Sequence, residues 1–193
     1  MRLLKKFRNV IFDLIIGKKI LAGTIKTTMS HMGCYNISNS DYDVLSYIFR
    51  KKCAINESDV LVDVGCGKGR VINYWLLMSL KNKIYGIEID NEIAKWTSKR
   101  LRNYSNVEII CGDINQNIPQ NASLFYLFNP FNELILEKFR NLLEKTFQNP
   151  DIKIVYYNTQ HLDVFKSNNK WEITEFDIPN IYAHRSAIIV KIK

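Results

Sequence analysis

A short apolar run that ends in alternating glycines constrains this 193-residue chain more than any other feature. Residues 60–64 are apolar apart from Asp63, and glycine then occupies every second position, at Gly65, Gly67 and Gly69. Glycine tolerates positive φ and has no Cβ, so the backbone of such a turn can approach a ligand closely. The pattern predicts a buried strand, a tight turn and a helix that begins near Lys68 and directs its free N–H groups into a cleft. A turn that needs glycine only for its geometry is the alternative.

The spacing of these glycines argues against two common nucleotide sites. A dinucleotide fingerprint requires a third glycine where this chain has Arg70, and a P-loop requires Ser or Thr after the lysine, where this chain has Gly69. What remains is a carboxylate, Asp63, two residues before the first glycine. That carboxylate would repel a pyrophosphate, but it could accept a hydrogen bond from a cationic or amino-bearing ligand.

Further carboxylates follow the next two predicted strands. Glu88 ends an apolar stretch over residues 83–88, where an acid can bind both hydroxyls of a ribose. Glu88 could instead cap the following helix, although Asp90 is better placed for that role. Asp113 follows the third predicted strand, where it either accepts from an exocyclic amino group or serves as an ordinary turn residue.

Four segments resemble the motifs of class I S-adenosylmethionine-dependent methyltransferases, in the order of that family. They are VDVGCGKG at 62–69, GIEID at 86–90, CGDI at 111–114 and YLFNPF at 126–131. The resemblance covers roughly residues 41–193, and GKGR at 67–70, NPF at 129–131 and IVYYN at 154–158 resemble a group of small bacterial methyltransferases. It implies S-adenosylmethionine as the methyl donor and says little about the acceptor. The implied donor-binding residues are Asp63, Gly65, Cys66, Gly67, Gly69, Glu88, Ile89, Asp113, Ile114 and Asn129.

The resemblance also gives candidates for the acceptor side, which are Asn129, Pro130 and Phe131. In related amino-group methyltransferases, an Asn-Pro-Pro-aromatic turn binds the substrate nitrogen, but this chain has a single proline there, so the acceptor need not be an amine. A strand-ending turn without a catalytic role is the alternative. Tyr35, Tyr156, Tyr157 and Asn158 are further candidates for the acceptor pocket. Methyl transfer depends mainly on positioning, so no catalytic histidine is required.

Alternating elements predict an α/β fold with a doubly wound, mostly parallel, seven-stranded sheet and an N-terminal helical extension. We expect residues 1–40 to form this extension with a connector or lid over 24–39, and residues 41–193 to form the donor-binding domain. The predicted helices cover 41–52, 68–81, 90–103, 132–147 and 159–166. The predicted strands cover 60–64, 83–88, 107–110, 122–128, 152–158, 170–177 and 184–192. The last two strands lack an intervening helix and should pair antiparallel.

The positive charge is concentrated in the N-terminal extension. Residues 1–26 contain seven Lys or Arg and one acid, a net charge of +6 out of +8 for the chain. Apolar residues recur there at helical spacing, at Leu3, Leu4, Phe7, Val10, Ile11, Leu14 and Ile15. Such a helix either lies on an anionic membrane surface through residues 1–20 or packs on its own domain or a second subunit, and we prefer packing.

Three hypotheses on function follow. The first is a methyltransferase for a small molecule or a glycan or lipid-linked precursor. The second is a methyltransferase for protein lysine or RNA, and the third is a non-catalytic subunit that binds S-adenosylmethionine. We prefer the first because the residues after 26 carry 20 basic against 18 acidic side chains, so a nucleic-acid partner is less expected. The four cysteines include no C-x-x-C pair, so we expect no metal site and expect the cysteines to be reduced and buried. No apolar run reaches the ~18 residues of a membrane span, and we expect a cytoplasmic protein.

Overall fold

A computed structural model describes residues 2–24, 33, 35, 38–147, 152–167, 169–179 and 185–192. Within them, seven strands form one sheet in the order β3-β2-β1-β4-β5-β7-β6. The strands are β1 (Leu61–Val64), β2 (Ile84–Glu88), β3 (Val107–Cys111), β4 (Leu124–Phe128), β5 (Lys153–Tyr157), β6 (Trp171–Asp177) and β7 (Arg185–Lys191). Strands β1 to β5 pair in parallel, whereas β7 runs antiparallel to both β5 and β6. This topology confirms the predicted doubly wound, mostly parallel sheet with an antiparallel pair at one side.

The helices agree with the predicted ones in order but differ at their ends. They are α1 (Arg2–Gly17), α2 (Tyr42–Tyr47, continued by a π-helical turn over Ile48–Lys52), α3 (Arg70–Leu77), α4 (Asn91–Leu101), α5 (Glu133–Thr146) and α6 (Asp163–Lys166). Helix α3 starts two residues later than predicted because Gly69 is left-handed, and it ends before Ser79, whose φ is 58°. Helix α6 starts later than predicted, and the N–H of Thr159 instead donates to the carbonyl of Arg185, the first residue of β7.

Two apolar clusters cover the two faces of the sheet. One packs the strands against α5 and α6 and contains Phe125 and Phe139, and the other packs them against α2 and α3 and contains Tyr126 and Trp75. Neighbouring residues of β4 enter opposite clusters because side chains alternate across a strand. The carboxyl ends of the parallel strands therefore meet at one edge of a sheet that is covered on both faces, where ligands bind in folds of this type.

Helix α1 packs on the domain beside α3 through a face of mixed polarity, on which Phe12 and Ile16 contact the apolar cluster. Asn9, Asp13 and Gly17 are buried there, whereas the predicted apolar face, which includes Ile11 and Ile15, is exposed to solvent. The helix thus packs on its own domain, but the apolar stripe does not make the contact. Most of the predicted connector or lid over 24–39 lies outside the described residues, and the division of the chain at residue 40 stays a prediction. None of the helices among the described residues has the length and apolar character that crossing a membrane requires.

Candidate active site

The turn between β1 and α3 requires glycine at Gly65 and Gly69. Their φ angles are 69° and 77°, in the left-handed region that side chains disfavour. A Cβ on Gly65 would lie 3.2 Å from the Cβ of Pro130, and one on Gly69 would lie 2.9 Å from an Nη atom of Arg100. The glycines therefore let the turn pass close to the segment after β4 on one side and to α4 on the other.

Glu88, at the end of β2, holds the glycine turn in place. Its Oε2 atom accepts from the N–H of Gly67 at 2.8 Å, and its Oε1 atom accepts from the N–H of Asp90 at 3.0 Å. Burial raises the pKa of this carboxyl, and the two backbone donors oppose the rise. Asp90 caps α4 by accepting from the N–H groups of Glu92 and Ile93. Asp90 is therefore the residue that caps α4, and the Glu88 carboxylate can accept further hydrogen bonds at the position expected to face a ribose.

Asp63 carries a buried carboxylate oxygen that lacks a partner. It lies in β1 between Gly86 of β2 and Tyr126 of β4, and only 3% of its surface is exposed. Its Oδ2 atom accepts no hydrogen bond from any described residue. Burial, and after it the charge of Glu88, raise the pKa of Asp63 well above the ordinary 3.8. Since an unsatisfied buried acceptor is costly, this oxygen fits a ligand that brings its own N–H donor.

Asp113, predicted to contact the donor, organises a turn after β3. Its Oδ1 atom accepts from the backbone N–H of Asn115 at 2.9 Å, which is the ordinary turn role considered above. The side chain of Ile114 is buried in the cluster beside α5, and Ile89 is half-buried after Glu88. Contacts of these residues with the donor stay predictions.

The cysteines agree only in part with the expectation that they are buried. Cys66 is buried within the turn, where burial raises the pKa of its thiol, and Cys53 is also buried. Cys111 is exposed at the end of β3, and Cys34 lies outside the described residues. The expectation was therefore wrong for Cys111, which ends a strand with only partly covered faces. Within the described ranges, no group of three His, Cys, Asp or Glu side chains could hold a metal ion.

Asn129 follows β4 directly, in a conformation that is uncommon for a non-glycine residue. Its φ is 39°, its side chain is buried, and its Oδ1 atom accepts from the Tyr156 hydroxyl at 2.8 Å. Pro130 is half-buried, and its carbonyl accepts from the N–H of Tyr35 at 3.1 Å. Phe131 turns into the core, where its ring packs against Phe139. This contact gives Phe131 a packing role, and an additional role at the acceptor stays a prediction.

A chain of polar contacts extends from Asn129 across the end of β5. The Tyr156 hydroxyl accepts from the backbone N–H of His161 at 3.4 Å, and the Nε2 atom of His161 lies 3.2 Å from the hydroxyl of Tyr35. Tyr157 points to the opposite face of β5, against Phe128. Among the tyrosines predicted for the acceptor side, the structure therefore joins Tyr35 and Tyr156 to Asn129.

Sequence reasoning missed His161, whereas the role of Asn158 in the acceptor pocket stays a prediction. His161 follows β5 by four residues, and its place at the strand's carboxyl end is the signal that could have identified it. Asn158 has a φ of 59°, so left-handed asparagines follow both β4 and β5. Asparagine tolerates this conformation better than most residues, and such conformations are frequent at functional sites.

Side chains of α4 and of the turn itself hold the glycine turn in place. Thr97 donates to the Gly67 carbonyl at 2.8 Å, and an Nη atom of Arg100 donates to the Lys68 carbonyl at 2.8 Å. The Nζ atom of Lys68 donates to the carbonyls of Ala22 and Gly23, which follow α1. The turn is thus fixed to the domain on one side and to the N-terminal extension on the other.

A buried ion pair connects this turn to α1. Arg70, the first residue of α3, donates from Nε and Nη2 to the two carboxylate oxygens of Asp13 at 3.0 and 2.7 Å. Tyr42 and the N–H of Leu21 donate to the same carboxylate. A cation in the first turn of a helix opposes the helix dipole, and a partner carboxylate compensates for this.

Comparisons with known proteins agree with this geometry. Residues 61–149 match the family described as a methyltransferase domain. A viral protein named as a methyltransferase, 235L of Invertebrate iridescent virus 6, is 31% identical over 111 residues, which cover 54% of this chain. The chain spans only 40% of the length of that relative.

Solved structures share the fold at low sequence identity. An RNA methyltransferase from Salinibacter ruber in complex with S-adenosylhomocysteine superposes with a TM-score of 0.59 at 20% identity, covering 81% of this chain and 94% of that one. TrmK of M. capricolum, also in complex with S-adenosylhomocysteine, superposes with a TM-score of 0.55 at 16% identity, covering 77% and 67%. The matched residues 61–149 contain β1 to β4 with the glycine turn, and the sheet has the fold of these solved methyltransferase structures.

Proposed function

We propose that this chain transfers a methyl group from S-adenosylmethionine to an uncharged acceptor, either a small molecule or a glycan or lipid-linked precursor. The observation that carries the donor assignment is the unpartnered Oδ2 atom of Asp63, buried beside Glu88 at the edge where the parallel strands end. S-adenosylmethionine brings an ammonium group that can donate to Asp63 and a ribose diol that can donate to Glu88.

The donor supplies an electrophilic methyl carbon, so the protein mainly needs to orient it and exclude water. Gly65 keeps the turn open on the side of Pro130, and the contacts of Gly67 with Glu88 and Thr97 fix the turn's shape before the donor binds. Such preorganisation reduces the entropy that binding has to remove. Donor contacts of Cys66, Gly69, Ile89, Asp113, Ile114 and Asn129 belong to the same proposal.

Among the described residues, polar side chains make the contacts that lead from Asn129 to Tyr35 on the proposed acceptor side. Asn129, Tyr156, His161 and Tyr35 present an amide, two hydroxyls and an imidazole beside the glycine turn. These groups suit hydrogen bonding to a hydroxyl or a neutral amine. A nucleic-acid substrate usually requires several Lys or Arg contacts to phosphates, and beyond residue 26 the basic and acidic residues nearly balance.

The test is incubation of the protein with radiolabelled S-adenosylmethionine and fractionated cell extract. We expect label in the small-molecule or lipid-extractable pool, and far less with Asn129→Ala. Label in RNA or protein would refute the uncharged acceptor and support the second hypothesis. Donor binding without label in any pool would support a non-catalytic donor-binding subunit.

A further inference from the structure

Helix α1 presents an apolar stripe to solvent. Phe7, Ile11, Leu14 and Ile15 are 66, 40, 44 and 58% exposed, and their spacing of three and four residues places them on one side of the helix. The opposite side is the one that packs on α3 through Asp13. The domain therefore holds α1 firmly while leaving its apolar side uncovered.

The segment that carries this stripe is predominantly basic. Asp13 is the sole acid among residues 1–26, and it is buried against Arg70, so it does not reach the exposed side of the helix. Lys18 and Lys19 are exposed directly after the helix, and Arg8 is exposed beside the stripe, where it pairs with Asp43. The segment as a whole carries a net charge of +6.

We propose that this face of α1 binds the surface of an anionic membrane, with the helix axis in the membrane plane. Large apolar side chains flanked by cations are the features by which interfacial helices bind anionic lipid. A second copy of the chain fits less well, because face-to-face docking would bring two segments of +6 charge together. The proposal does not depend on methyl transfer, since it concerns only α1 and the residues directly after it.

The test is co-sedimentation of the full-length protein with lipid vesicles. We expect it to pellet with vesicles that contain phosphatidylglycerol, to pellet much less with pure phosphatidylcholine, and to be released by salt. Ile11→Asp/Ile15→Asp should weaken binding by about tenfold or more, since each isoleucine loses its apolar contact with lipid. Lys18→Ala/Lys19→Ala should weaken it by about fivefold per charge. Truncation of α1 is unsuitable because it would leave Arg70 buried without Asp13.

Leu134→Asp is the matched control. Leu134 is 59% exposed on α5, which covers the other face of the sheet, so this variant should bind vesicles like the wild type. Thermal unfolding should show that all variants stay folded, because the changed residues are exposed. The proposal is overturned if the wild type stays in the supernatant with anionic vesicles, or if Ile11→Asp/Ile15→Asp pellets as well as Leu134→Asp. The proposal is also overturned, in favour of docking by a second copy, if the wild type forms a dimer that does not pellet with vesicles and Ile11→Asp/Ile15→Asp converts this dimer to monomers.

Discussion

Replacing Asp13 by alanine should destabilise the entire domain, although Asp13 lies in an extension outside the sheet. Its carboxylate accepts four hydrogen bonds, two of them from the Arg70 guanidinium. Both side chains are buried, with exposed fractions of 0% for Asp13 and 6% for Arg70. Removing one partner of a buried pair typically costs about 3–5 kcal/mol, because the other charge stays buried and unpaired. That is a large share of the ~5–15 kcal/mol that stabilises a typical protein.

Urea unfolding of Asp13→Ala and of the wild type measures this cost. Glu108→Ala is the control, since it breaks the exposed pair with Lys83 and should cost at most about 1 kcal/mol. The apolar double variant Asp13→Leu/Arg70→Met should recover much of the loss, because it removes both buried charges together. A cost for Asp13→Ala as small as that for Glu108→Ala would refute the view that this pair anchors α1 to the domain.

Three further predictions concern the site itself. Gly69→Ala should lower stability by about 1–2 kcal/mol in thermal unfolding, since alanine is strained at a φ of 77°; no change would contradict the need for glycine there. Asn129→Ala should reduce turnover about 10–1000-fold while donor affinity changes much less, since Asp63, Glu88 and the glycine turn also hold the donor, and Tyr156→Phe should act in the same direction more weakly, as measured by paired kinetics and calorimetry; full turnover in Asn129→Ala would show that the segment is only a turn. Donor affinity should be highest where Asp63 is ionised and should fall as pH decreases through its pKa, which burial raises above 3.8; titration over pH should show this dependence in the wild type and not in Asp63→Asn.

Local patterns were sufficient to predict the parts of the fold that depend on local physics. The apolar runs and the alternating glycines identified β1, its turn and the polar residues at the strand ends, because strand and turn preferences are encoded within a few residues. The mostly parallel pairing of the strands was predicted from the alternation of strands and helices. Helix ends such as Arg70 were misplaced by a few residues, since they depend on the backbone conformation of single residues such as Gly69.

Contacts between distant residues could not be predicted from local patterns. Asp13 and Arg70 are 57 positions apart, so no local pattern indicates that they form an ion pair. For the same reason we expected the apolar stripe of α1 to be the packing face, whereas the buried pair of Asp13 and Arg70 lies on the opposite side of the helix. His161 lies in a loop without a distinctive motif, and only the fold brings it to Tyr35.

Calorimetric titration of S-adenosylhomocysteine into the wild type and Asp63→Asn tests the donor site most directly. Asp63 is a sharper probe than Glu88, because Glu88 also holds the N–H groups of Gly67 and Asp90 and its loss would disturb the turn. The Oδ2 atom of Asp63 accepts no hydrogen bond from the described residues, so Asp63→Asn breaks no contact of that atom with them. Losing a charged hydrogen bond to the ligand's ammonium should weaken binding by about 1.5–3 kcal/mol, or roughly 10–150-fold, with little change in thermal stability. Equal affinity in the two proteins, or no binding to the wild type, would contradict the assignment of this edge as the donor site.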